Sequence, residues 1–124
     1  MAAPPYMTLY IGDYLADTMH LTTEEHGAYL LLIFAYWRRG GALQDDDAQL
    51  ARMVRQTPAG WRALRPALAE FFDIAGGAWT HKRVELELAR AAEKGDKARK
   101  SAEARWAAKP KGTRQPDANA MRTH

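Results

Sequence analysis

The chain has 124 residues, 47% of them hydrophobic, which suffices for one modest domain with a compact core. It contains no cysteine, so disulfides and thiolate metal sites are excluded and a reducing compartment suits it. The formal charge of +3 is unevenly spread: residues 1–81 carry six arginines and no lysine against nine acids, net −3, whereas residues 82–124 carry twelve basic residues against six acids, net +6.

The opening MAAPPYMTLY has neither a positive n-region nor a long apolar stretch, so a soluble, cytoplasmic protein without membrane association is expected. MTLYIGDY, residues 7–14, sets apolar side chains at alternating positions and is expected to run extended, with a short turn from Asp13 to Thr18.

LTTEEHGAYLLLIFAYWRRGG follows. Thr22 and Glu25 have the spacing of a capping box, Leu21 can supply a staple, Arg38 and Arg39 suit a helix carboxyl end, and Gly40-Gly41 permit a left-handed exit. A helix is expected over residues 23–39. Its stretch 28–37 is apolar around the whole circumference and must be covered on several sides. Ten residues rise only about 15 Å, half a bilayer core, so this is a buried helix and not a membrane crossing.

ALQ at 42–44 leaves room for a small strand. A second helix over 45–56 is expected to be capped by Asp45 or Asp46, with Asp47, Leu50, Ala51 and Val54 on one side and Gln49, Arg52, Arg55 and Gln56 on the other. Thr57-Pro58 opens a third helix, with Trp61, Leu64, Leu68 and Phe71 at core spacing and Ala59, Arg62, Arg65 and Ala69 pointing away. Pro66 predicts a kink or break near residues 62–65. FFDIAGGAWTHKRV, residues 71–84, reads as a hairpin around Gly76-Gly77. From Val84 onward strong helix formers dominate, interrupted at Gly95-Asp96, and KPKGTRQPDANAMRTH is expected to be disordered.

The expected fold is therefore α+β and mainly helical: a winged helix-turn-helix over residues 1–84 with the hairpin as wing, a basic C-terminal helix over 85–109, and a disordered tail over 110–124.

The chemistry-bearing residues point away from catalysis. His20, His26, His81 and His124 show no zinc-binding spacing, Asp45-Asp46-Asp47 lacks the alternation of a calcium loop, and no phosphate-binding or nucleophile motif occurs. No enzyme activity, cofactor or metal is expected. Arg52, Arg55, Arg62 and Arg65 would share the outer surface of a helix-turn-helix, where they could meet DNA phosphates or base edges. Lys82 and Arg83 on the wing could add phosphate contacts. Lys97, Arg99, Lys100 and Arg105, with Trp106 among them, would make a basic helix able to attract nucleic acid. Six acids, Asp45, Asp46, Asp47, Glu70, Asp73 and Glu85, lie near the four arginines and oppose that surface.

LYIGDYLADTMHLTTEEHGAYLLLIFAYWRRGGALQDDD, with Trp61, Phe71-Phe72 and WTHKRV at 79–84, resembles the YdaU-type family of prophage proteins, a domain of unknown function, over residues 5–90. The helix and hairpin order is also similar to that of the N-terminal winged-helix domains of phage replisome organisers and DnaD-like primosome proteins. The resemblance implies a phage-derived protein of the bacterial host's cytoplasm, binding DNA in replication initiation or its regulation. The alternative is a protein-interaction module, forming a homodimer or targeting a host or phage replication or defence complex.

Overall fold

The computed structural model describes residues 3–108. Helix α2 (Thr23–Arg39) lies at the core of the first part of them. Thr22 accepts from the Glu25 backbone N–H at 3.1 Å while Glu25 Oε1 accepts from the Thr22 N–H at 2.8 Å, so the capping box forms as expected. Gly40 closes the helix with φ of +82°, and its N–H reaches the Tyr36 and Trp37 carbonyls. The buried stripe is Ala28, Tyr29, Leu32, Ile33, Tyr36 and Trp37. Cover is not complete, because Phe34 stays 48% exposed.

Preceding α2 is a short helix, α1 (Ile11–Asp17), where extended chain and a turn were expected. The alternation at 7–14 does not mark a half-buried strand: Leu9, Ile11 and Leu15 all face solvent. The segment is fixed instead by Tyr14, which stacks on Tyr29 and hydrogen-bonds His26 Nδ1 at 2.9 Å, and by buried Thr18, whose hydroxyl donates to the Tyr14 carbonyl. Earlier still, the Pro4 carbonyl accepts from the Trp37 indole at 2.7 Å.

After α2 come β1 (Leu43–Gln44), α3 (Asp47–Met53), α4 (Pro58–Ala69), β2 (Asp73–Ala75) and β3 (Ala78–Thr80). The three strands form one antiparallel sheet in the order β1-β3-β2, with Trp79 opposite both Leu43 and Ile74. Gly76 and Gly77 have φ of +59° and +76°, the two positive values a two-residue hairpin turn requires. The architecture is α+β and mainly helical.

Leu50, Trp61, Leu68 and Trp79 are fully buried where α3, α4 and the sheet close on α2. Burying an aromatic of this size contributes roughly 4–6 kcal/mol before entropy is counted. Phe72 rather than Phe71 goes inside, since the helix ends at Ala69 and its periodicity no longer applies. Helix α4 also runs unbroken through Pro66. The proline removes only the bond to the Arg62 carbonyl on the exposed side, and the buried face of Trp61, Leu64 and Leu68 holds the turn in place.

Helix α5 (Lys82–Ala108) is likewise continuous across Gly95-Asp96. Glycine costs about 1 kcal/mol there relative to alanine. Ion pairs from Asp96 to Arg99 and Lys100 and the surrounding helix formers offset it. The chain divides into two units, the first ending at Ala92 and so including the opening turns of α5, the second starting at Glu93. The expected disordered tail, residues 110–124, lies outside the described residues, as does His124. Among the described residues no helix is long and apolar enough to cross a membrane.

Candidate nucleic-acid interface

Helix α3 starts because Asp46 caps it, accepting from the N–H groups of Ala48 and Gln49 at 3.0 and 3.2 Å. Its neighbours do different work. Asp45 accepts from the Trp79 indole at 2.8 Å, Asp47 accepts from the Trp61 indole at 2.8 Å, and Arg65 reaches both carboxylates, at 3.1 and 2.5 Å. The Arg65 guanidinium lies 5.0 Å from the centre of the Trp79 ring. Hydrogen bonds from the tryptophans first, and from Arg65 second, hold both carboxyls below the usual carboxylate range. The three aspartates therefore serve a helix cap and a clamp between α3, α4 and the sheet. Among the described residues no cluster of His, Asp or Glu could hold a metal ion.

This clamp corrects the expected position of Arg65. It does not point away with Arg62 but folds back over the tryptophans, which leaves three outward arginines. Arg52 lies in the last turn of α3, Arg55 in the turn between the helices and Arg62 on α4, all exposed. Among the described residues none of these three side chains makes a hydrogen bond or ion pair. Arg62 acts on Asp47 only through its charge. Arg55 has a φ of +61°, the left-handed region that favours glycine. Its N–H still bonds the Arg52 carbonyl at 3.1 Å, so the turn leaves α3 through a side-chain-bearing residue.

The acids that oppose this surface in sequence are mostly engaged elsewhere: Glu70 pairs with His20 at 2.8 Å and Glu85 accepts from Tyr36, in addition to the three aspartates already described. Asp73 remains exposed on β2.

Lys82 and Arg83 are not on the hairpin but in the first turn of α5, because His81 ends the strand and caps the helix. Arg83 is 3.4 Å from Asp13 and 5.0 Å from the Tyr10 ring centre, tying α1 to α5. In the second unit Lys97 and Arg105 are exposed, Arg99 pairs with Asp96, and Lys100 lies 3.5 Å from the same carboxylate. Trp106 is 69% exposed.

His81, considered in the sequence only as a metal ligand, has a structural role that was not anticipated. His81 is buried beneath α2; its Nδ1 accepts from the Val84 N–H at 3.2 Å, so Nε2 carries the proton and donates to the Tyr29 hydroxyl at 2.7 Å. The His81 N–H donates to the Tyr36 hydroxyl at 3.2 Å, and Tyr36 in turn donates to Glu85. Burial first, and Arg83 second, push the imidazole below its ordinary pKa. Burial and the Glu85 bond push Tyr36 up to about 12. A cavity of about 70 Å³ lies beside this network, lined by Tyr14, Tyr29, Ile33, Val84 and others. The available signal was positional: a polar residue between a strand and a helix, three before Val84, has N-cap spacing.

Comparison with known proteins adds three findings. Over 94 residues the chain is 53% identical to the uncharacterized protein YdaU of Escherichia coli (strain K12), an alignment covering 76% of this chain and 32% of that protein. The chain thus spans about a third of the length of that relative. No solved structure matches it. Residues 5–89 match the family described as protein of unknown function, DUF1376, a span that takes in α1 to α4, the sheet and the opening of α5, and the chain belongs to that family.

Proposed function

We propose that this chain is a non-enzymatic winged helix-turn-helix protein that binds duplex DNA, acting in phage DNA replication initiation or its regulation. The order α2, β1, α3, α4, β2, β3 and the sheet order β1-β3-β2 support the fold reading, with α3 and α4 as the turn motif and the hairpin as a minimal wing. The phage context rests on the resemblance alone.

The observation that carries the DNA reading is the asymmetry of pairing on α3 and α4. Asp45, Asp46, Asp47 and Glu70 are occupied by indoles, backbone and Arg65 or His20, while Arg52, Arg55 and Arg62 stand exposed and unpaired among the described residues. Such cations supply affinity by displacing counterions from phosphate. Titration of the full chain with a duplex over a salt series tests this. Affinity should fall linearly in log–log form, and absence of binding at low salt would refute it.

A second reading, a protein-interaction module, is favoured by α1. None of its residues is buried, and Ile11 and Leu15 are 67% and 55% exposed with Met19 at 84% just beyond. If Ile11 and Leu15 replaced by Ser abolish function in cells while DNA affinity stays intact, the interaction reading gains over the first.

A further inference from the structure

We infer, resting on the DNA reading above, that the ligand is duplex DNA of any sequence, held by its phosphate backbone. Reading a base edge in the major groove takes a side chain with matched donors or acceptors: arginine or lysine for guanine, asparagine or glutamine for adenine, a carboxylate for cytosine. In a helix-turn-helix these come chiefly from the second helix of the motif, here α4.

Helix α4, PAGWRALRPALA, contains three side chains with a donor: buried Trp61, whose indole is spent on Asp47, and the charged Arg62 and Arg65. Arg65 is committed to Asp45, Asp47 and the Trp79 ring. The rest of its exposed face is Pro58, Ala59, Ala63 and Pro66, which offer methyl and ring carbons but no donor or acceptor beyond the backbone. Arg62 alone is left to touch a base, and one arginine cannot specify a site.

The hairpin adds nothing. Its tip is Gly76-Gly77 between Ala75 and Ala78, without a polar side chain, and the only charged residue of its strands is the anion Asp73. Lys82 and Arg83, which could have armed a wing, belong to α5, and Arg83 is held by Asp13.

What remains is suited to phosphate. Arg52 and Arg55 lie on the first helix of the motif and in the turn after it, the part that crosses the DNA backbone in this geometry. Ala59, Ala63 and Pro66 keep the α4 surface low, so the backbone of the groove wall can approach these cations closely. Affinity in the range of sequence-independent binding, Kd about 10⁻⁴–10⁻⁶ M at physiological salt, follows.

The test measures binding of the full chain to an A-tract duplex, a GC-rich duplex and a random-sequence pool over a salt series, with thermal melting confirming that each variant is folded. Affinities should agree within about fivefold and share one salt slope. Arg52, Arg55 and Arg62 changed together to Gln should lower that slope by about 0.9 per lost contact, equally on every duplex. Selection from the pool of a consensus bound over about a hundredfold tighter than the pool itself would overturn the inference while leaving the DNA reading standing. An Arg62→Gln variant that reorders the duplexes by affinity would overturn it in the same way. No binding to any duplex at low salt sinks both.

Discussion

Arg62 and Arg65 are three residues apart on one helix and live in opposite surroundings. Arg65 joins two carboxylates and an indole ring, so Arg65→Ala should lower unfolding free energy by about 1 kcal/mol, a figure kept small because the cluster is partly open to solvent. Arg62→Ala should leave the chemical-denaturation midpoint unmoved. Equal effects would mean that the clamp contributes nothing. The difference was legible in part: residue 65 is four after Trp61 and three before Leu68, both buried, so helical spacing already sets it on the flank of the core. What spacing could not show was that Asp45, just after β1, and Asp47, the first residue of α3, meet it there. His81 makes a second residue-scale prediction. Its pKa is depressed by burial, then by Arg83, so between the ordinary value of 6.5 and the lower folded value the unfolded chain binds a proton that the native histidine refuses. Stability is then complete above about pH 6.5 and falls with acidification below it, at most about 1.4 kcal/mol per pH unit. The depressed carboxyls of Asp45 and Asp47 lose their contribution only further down, below the carboxylate value of 3.8. His81→Asn, which retains a cap acceptor, should remove the upper limb of the pH–stability curve and spare the lower one. A curve unchanged by the substitution would exclude His81 as its source.

At the level of elements, local rules succeeded where the signal was redundant and failed where a single residue was allowed to decide. For α2 the cap, the staple, the terminal arginines and the left-handed glycine agree, and both ends fall where expected. The reading of a break at Gly95 rested on one glycine against a run of strong helix formers, and the run prevails. Pro66 lost in the same manner to three buried neighbours. Helix α1 was missed for a different reason: its apolar residues face solvent, so periodicity carried no information about the core. The continuity of α5 has a direct check. A methyl group at Gly95 would meet nothing within 4 Å, so Gly95→Ala should stabilise the helix by about 1 kcal/mol and raise helical circular dichroism. No gain would restore the break. Across the core, Leu64→Ala should cost roughly 2–5 kcal/mol in denaturant unfolding, since Leu64 is 5% exposed on the face that α4 turns inward.

For the whole molecule, the distribution of charge is the feature that sequence revealed most directly and that bears most on function. Residues 1–81 are net −3 and residues 82–124 net +6, and within the acidic part the acids beside α3 and α4 are largely consumed by internal bonds. A formal count thus understates how far Arg52, Arg55 and Arg62 are exposed to an approaching polyanion. The basic segment of α5 differs in kind, because Arg99 and Lys100 share Asp96 at exposed positions, and exposed pairs of this sort are weak and readily exchanged for phosphate. Changing Lys97, Arg99, Lys100 and Arg105 together to Gln in the full chain should therefore weaken duplex binding and lower the salt slope by up to about 3.6 if each touches one phosphate. Folding of the first unit should be untouched, since the core ends before these residues. A full loss of slope from this variant alone would assign the DNA contact to α5 and leave α3 and α4 without a part in it. An unchanged slope would restrict the contact to Arg52, Arg55 and Arg62. A partial loss is the result expected if each basic surface neutralises phosphates on its own.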